Sequence, residues 1–295
     1  MLVHAYAKIN LGLDIIGKRD DGYHDLSMVM QTIDLRDDIE ISVSPEIMGS
    51  SEQGTIMLTC SDKSIPKEDN LAYRAAKLLY EEFDITDHLD IDIKKHIPVA
   101  AGLGGGSADA VAVLRGVNEI LGLDLSNEEL MERGLKLGAD VPFCISGGTA
   151  CAEGIGEQLM PLYMPDEGLH VIVAVPEGLK VSTKEIYEEY DKAEFTGIHP
   201  DIDNLRAAIE MEDVGCIPEF LGNVLESVTM KKHPEIGQLK NIMMKSGAAG
   251  ALMSGSGPSV YGLFVDEAAV EKAYNALFES GIAGSVFVTK FRESY

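Results

Sequence analysis

The chain opens on an alternation. Val3, Ala5, Ala7, Ile9, Leu11, Leu13 and Ile15 are apolar, and His4, Tyr6, Lys8, Asn10 and Asp14 fall between them. Successive side chains of a strand point to opposite faces, so a period of two predicts a half-buried β-strand with Lys8 and Asn10 on its polar face. The turn-rich run Gly17-Lys18-Arg19-Asp20-Asp21-Gly22 ends it, and Tyr23-His24 follow. Short strands are predicted at Ile39–Val43, Ile56–Leu58 and Leu89–Ile93, with a helix near Asn70–Phe83. Ala110, Val113, Leu114, Val117 and Leu121 share one helical face, and Gly122 stops that helix. Ser126 with Glu129 has the form of a capping box opening the next helix, beyond whose end lies Asp140.

The second half predicts a strand over Leu169–Val175 and helices near Thr183–Tyr190, Asp203–Glu210, Ile217–Leu225 and Pro234–Lys245. Two strands, Gly250–Met253 and Val260–Val265, flank the loop Ser254–Ser259, and helix Glu267–Glu279 and strand Ser285–Lys290 follow. Helices and strands mix without strict alternation, which argues for an α+β fold over a doubly wound parallel sheet. The acidic turn Pro165-Asp166-Glu167-Gly168 is the candidate boundary between domains 1–164 and 165–295.

Composition narrows the function classes. Hydrophobic residues at 45% and charged residues at 25% suit a globular core. No apolar stretch is long enough for a bilayer, and Met1–Ile16 lacks the layout of a signal peptide. Four scattered cysteines without a CxxC pair argue against a zinc site or disulfide framework and fit a reducing, cytoplasmic setting. A net charge of −25 repels phosphate backbones, so no nucleic-acid partner is expected. Any site for a small polyanion must then be local and built from backbone N–H groups.

One segment has that character. Pro98-Val99-Ala100-Ala101-Gly102-Leu103-Gly104-Gly105-Gly106-Ser107-Ala108 lies between a predicted strand and a predicted helix. Its glycines allow several N–H groups to converge on one anion, and the helix start adds unpaired donors and a positive dipole end. The Ser107 hydroxyl can cap the helix or reach a phosphate or metal. The loop is neither a Walker A sequence, which needs a lysine after the last glycine, nor GxGxxG. Phosphoryl transfer also needs charge stabilisation and a carboxylate for the acceptor's proton, for which Lys8 and Asp140 are candidates. Taken singly, a strand lysine more often marks a solvated face and an Asp after a helix more often caps the next turn.

Together, Ala7-Lys8-Ile9-Asn10-Leu11, Gly22-Tyr23-His24, the Pro98–Ala108 loop, Leu137-Gly138-Ala139-Asp140-Val141-Pro142 and Gly255-Ser256-Gly257 resemble the GHMP kinases in order and spacing. Within that family they are most similar to the members that phosphorylate a cytidyl-linked sugar alcohol in the non-mevalonate isoprenoid route. The resemblance implies two lobes with ATP and acceptor meeting in a cleft, Asp140 as base and Lys8 as its charged partner. It implies that the loop wraps the ATP phosphates, with Asn70 and Lys95 near the adenine end and Mg²⁺ required. Asn10, Tyr23 and His24 match positions that read the cytosine, and Tyr187 matches a second aromatic over the base. The Ser254–Ser259 loop, otherwise a hairpin loop, would close over phosphates or substrate. Two other readings stay open: a family member acting on mevalonate or homoserine, and a nucleotide-binding regulator without turnover. Oligomeric state and metal ligands are not legible.

Overall fold

The computed structural model describes residues 1–45, 54–165, 168–193 and 197–293. The described residues fall into two compact units, and the chain passes between them more than once. The first comprises Met1–Ala7, Leu35–Val99 and Gly104–Ser146, and the second Lys8–Asp34, Ala100–Leu103 and Gly147–Tyr295. The packing units are therefore not consecutive halves of the chain. Of the turn at Pro165–Gly168, residues 166 and 167 lie outside the described residues.

Two long strands contribute to both units, β1 (Leu2–Lys18) and β2 (His24–Ser44). In the first unit they are joined by β3 (Ile56–Cys60), α1 (Leu71–Glu82), β4 (His88–Lys94), α2 (Gly105–Leu121), α3 (Asn127–Leu135) and α4 (Val141–Ser146). Asp38–Ser44 of β2 pair antiparallel with β4, and β4 pairs parallel with β3. The apolar faces of α1 and α2 pack on each other, burying Ala72, Ala75, Ala76 and Leu79 of one and most of Ala108–Val117 of the other. Gly122 ends α2 at φ 61°, and the Ser126–Glu129 capping box opens α3 in both of its hydrogen bonds.

The second unit continues with β5 (Thr149–Gly154), β6 (Gln158–Leu162), β7 (His170–Pro176), α5 (Thr183–Lys192), α6 (Ile202–Glu210), β8 (Gly222–Asn223) and α7 (Glu226–Lys232). It closes with α8 (Pro234–Ser246), β9 (Gly250–Met253), β10 (Val260–Phe264), α9 (Glu267–Glu279) and β11 (Ala283–Lys290). Leu26–Gln31 of β2 pair with β5, β5 pairs with β6, and Gly12-Leu13 of β1 pair parallel with β8. A separate antiparallel sheet has the order β11-β7-β10-β9, with α8 and α9 packed on it.

The α+β class holds, and three sequence expectations need correction. The strand β1 is not half-buried: every residue from Ala5 to Ile15 is buried, including Lys8, Asn10 and Asp14. Alternation cannot tell a solvated polar face from one whose polar groups are hydrogen-bonded inside. The expected short strand Ile39–Val43 is only the end of the 21-residue β2, whose buried Met28–Ile33 run lacks alternation and was unread. The helix expected over Ile217–Leu225 is a short 3₁₀ turn at Ile217–Phe220 followed by β8, because Gly222 and Asn223 pair with β1.

Candidate active site

Lys8 is the starting point in the second unit. Only 5% of it is exposed, and its Nζ donates to Asn10 Oδ1 at 2.9 Å. These side chains share a face because they stand two residues apart on one strand. Asn10 is engaged at every polar atom: Oδ1 also accepts from Gly255 N at 3.1 Å, Nδ2 reaches Met28 Sδ at 3.5 Å, and its carbonyl accepts from the buried Tyr261 hydroxyl at 2.9 Å. A Cβ added to Gly255 would stand 3.6 Å from Lys8 Nζ. The lysine is thus held in place by an amide and by the hairpin that carries Gly255, not by solvent.

That hairpin, Ser254–Ser259, joins β9 to β10 and is closed by Ser254 N donating to Ser259 O at 3.0 Å. Asn223 Nδ2 donates to the carbonyls of Met253 and Gly255, at 2.9 and 2.8 Å, and so clamps its first arm. The hairpin also supports the middle of the glycine-rich loop. Ser254 Oγ donates to Gly102 O at 2.8 Å, Ser259 N to Ala101 O at 3.2 Å, and Lys8 N to Leu103 O at 2.9 Å. Gly102 sits at φ 77°, and a Cβ there would come within 2.2 Å of Ser254 O, so the position admits no side chain.

Within the first unit, Gly104 adopts the left-handed conformation (φ 68°) and serves as N-cap of α2, whose first intrahelical bond runs from Ala108 N to Gly104 O. The N–H groups of Gly105, Gly106 and Ser107 precede that ladder, which is the donor arrangement a phosphate needs. Gly105 is helical rather than left-handed; its constraint is space, since a Cβ would meet Ile97 Cγ2 at 2.9 Å and Lys95 Nζ at 3.4 Å. Ser107 Oγ lies 3.9 Å from where a Cβ on Gly138 would stand. The unit therefore brings the helix start beside the Gly138–Asp140 segment. Half-buried Asp140 opens α4, its carbonyl accepting from Cys144 N at 3.0 Å.

Asn70 and Lys95 prove to have internal partners. Asn70 is the N-cap of α1, Oδ1 accepting from Ala72 N at 2.9 Å. Lys95 Nζ is shared by two buried carboxylates, Asp37 at 2.5 Å and Asp109 at 2.7 Å. Burial disfavours the Lys95 ammonium, but Asp109 and Asp37 outweigh it and its pKa is raised. Burial pushes the Asp109 carboxyl up, with Lys95 acting against the rise and Asp37 adding to it. Asp37 and Asp109 were absent from the sequence reading. A lone Asp at 109 within the otherwise apolar run Ala108–Leu114 was the available signal.

A second cluster surrounds His24. Its ring is buried, Nε2 lies 2.7 Å from Asp191 Oδ1, and the Tyr187 ring stands 5.1 Å away at 38°. Asp191 Oδ2 accepts from Lys18 Nζ at 2.6 Å. Burial alone would raise the Asp191 carboxyl; the hydrogen bonds from Lys18 and His24 overcome this and lower it. Tyr23 is 60% exposed and so is no packing residue of the turn. Asp191 was also missed, although it follows Tyr187 by four residues on the same helix face. Among the described residues no group of three His, Cys, Asp or Glu is placed to hold a metal. Magnesium bound to nucleotide phosphates keeps several waters, and at the helix start the Ser107 hydroxyl is the side-chain oxygen that could join its ligands.

The chain as a whole has relatives among known proteins. A model of the GHMP kinases N terminal domain matches residues 70–148 and one of GHMP kinases C terminal matches residues 199–283, which sets the class as GHMP kinase. The 4-diphosphocytidyl-2-C-methyl-D-erythritol kinase of Geobacillus kaustophilus is 45% identical, over 98% of this chain and 96% of its own. A crystal structure of 4-(cytidine 5'-diphospho)-2C-methyl-D-erythritol kinase superposes with a TM-score of 0.80 at 30% identity, covering 99% of both chains. The homoserine kinase of Cytophaga hutchinsonii, 19% identical with a TM-score of 0.75 over 99% of this chain and 96% of its own, shares the fold. The chain belongs to the 4-diphosphocytidyl-2-C-methyl-D-erythritol kinase family.

Proposed function

We propose that this chain transfers the γ-phosphoryl group of ATP to the 2-hydroxyl of 4-diphosphocytidyl-2-C-methyl-D-erythritol. The observation that carries the reading is the 45% identity running through 98% of the chain. In the reading, the Asp140 carboxylate accepts the proton of the 2-hydroxyl as its oxygen bonds to the γ-phosphorus. The bond from that phosphorus to the bridging oxygen breaks, and ADP leaves. Lys8, fixed by Asn10, stabilises the charge that develops. The N–H groups of Gly105, Gly106 and Ser107 receive phosphate oxygens, and the remainder of Pro98–Ala108 shapes the approach. The Ser107 hydroxyl at the helix start would be a protein oxygen available to a Mg²⁺ ion arriving with ATP, which would supply charge neutralisation at the phosphates.

Tyr23 and Tyr187 stack on the cytosine and His24 reads its edge. Asn10, with both ends of its amide engaged, acts by placing Lys8. Asn70 and Lys95 act on the nucleotide side through the elements they fix. Residues 1–164 carry Lys8, the loop and Asp140, and 165–295 carry Tyr187 and Asp191. A cytoplasmic setting is supported by four cysteines that are all free thiols. Phosphorus NMR of the product tests the chemistry: a new phosphomonoester on the 2-carbon with ADP formed in equal amount is expected. A phosphate on any other hydroxyl, or ADP without a phosphorylated acceptor, overturns it.

A further inference from the structure

Three ionisable side chains at the base of the loop sit almost wholly out of water. Side-chain exposure is 0% for Asp37, 7% for Lys95 and 3% for Asp109. They come from three elements of the first unit: β2, the segment after β4, and the first turns of α2. Asp37 Oδ2 accepts from Lys95, while its Oδ1 accepts from His96 N at 2.5 Å and Ile97 N at 2.8 Å. One carboxylate therefore fixes three successive residues immediately before Pro98. Asp109 Oδ2 holds the same ammonium from one turn above Gly105. Its other oxygen is buried without a hydrogen-bond partner.

Such an arrangement is a poor source of stability. Desolvating three charged groups costs more than their attraction returns unless every polar atom is satisfied, and here one is not. What the cluster does supply is register. It ties the strand-side arm of the loop to the helix whose first N–H groups face the phosphates, and Gly105 rests directly on Ile97 and Lys95 because it lacks a side chain.

We propose that Asp37, Lys95 and Asp109 form a positioning device for the nucleotide loop, setting the affinity for ATP rather than the rate of transfer. The proposal deepens the ATP-dependent reading above and rests on it. Lys95 then serves the nucleotide through the loop, its ammonium occupied by the two carboxylates.

The test is Asp109→Asn, which keeps the shape and replaces the carboxyl group that accepts from Lys95 Nζ by an amide. Steady-state kinetics with ATP and the cytidyl acceptor varied separately, and calorimetric titration with a non-hydrolysable ATP analogue, give the readouts. The expected result is a KM for ATP and a Kd for the analogue raised about tenfold or more, kcat within about threefold, and KM for the acceptor unchanged. A folded variant that binds the analogue as wild type does, whatever its Tm, overturns the proposal, because a merely structural cluster would move Tm alone. Lys95→Arg, which keeps the positive charge but alters its reach, is the second variant. It should show the same split, and unchanged nucleotide affinity in it is equally contrary. Failure of the wild-type protein to bind the analogue would instead sink the ATP reading itself.

Discussion

Lys8 shows how burial changes the choice of test. As a solvated strand lysine it could be truncated freely, but in the structure its removal takes away one of the two donors to the buried Asn10 Oδ1 and leaves Gly255 N as the other. Substitution at Asp140 separates chemistry from folding better, since Asp140 is half-buried and opens α4 through its carbonyl, which an Asn retains. Asp140→Asn is expected to lower turnover about 10²–10⁴-fold while calorimetry shows ATP binding intact. Turnover near wild type in the folded variant would remove Asp140 from the role of base. At His24 the useful partner is Asp191. In the tautomer that donates Nε2–H to Asp191, Nδ1 is an acceptor, which suits the amino group of cytosine and not the carbonyl of uracil. Asp191→Ala should therefore narrow the preference for cytidyl over uridyl acceptor by about tenfold without changing ATP affinity. An unaltered preference would show that the carboxylate does not set the ring. Residues of this kind were only partly legible. Lys8, His24 and Asp140 stood in motifs, whereas Asp37, Asp109 and Asp191 gain meaning only once folding brings them to a lysine or an imidazole.

At the scale of elements, strong local signals carried through and pairing-dependent ones did not. The helix α2 was legible from its apolar face and stop glycine, and α3 from its capping box. Helix α9 was read with its observed bounds, and the β9–loop–β10 hairpin with a strand end one residue long. By contrast, most of β2 and all of β5 went unread because they pair with each other across a long stretch of sequence, and β6, which forms a hairpin with neighbouring β5, went unread with them. The glycine-rich loop was located correctly, yet its left-handed glycines are Gly102 and Gly104 rather than Gly105, and Ala100 also takes a positive φ of 56°. Gly102→Ala meets both an unfavourable φ and the Ser254 carbonyl, so a loss of at least about 1–3 kcal/mol is expected in denaturant unfolding. Gly122→Ala, at φ 61° but facing open space, is the matched control and should cost less. Equal losses would mean that the carbonyl contact carries no weight.

For the molecule as a whole, the sequence conveyed the α+β class but not the way the chain divides. Lys8 and the Ala100–Leu103 stretch pack with the C-terminal residues, because β1, β2 and the loop each thread from one unit to the other. Contiguous segments are what periodicity can show, and threading of this kind leaves no periodic trace. The net charge of −25 works against long-range attraction of a polyanion, so the proposed recognition of phosphate-bearing ligands draws on local donors, for which the start of α2 is the candidate. That places the burden of proof on which acceptor is used. The most direct measurement is ATP-dependent ADP release by the purified chain with 4-diphosphocytidyl-2-C-methyl-D-erythritol, mevalonate and homoserine offered in parallel. The account predicts sustained release with the cytidyl sugar alcohol and background release with the other two; release with mevalonate or homoserine matching or exceeding that with the cytidyl compound would contradict it.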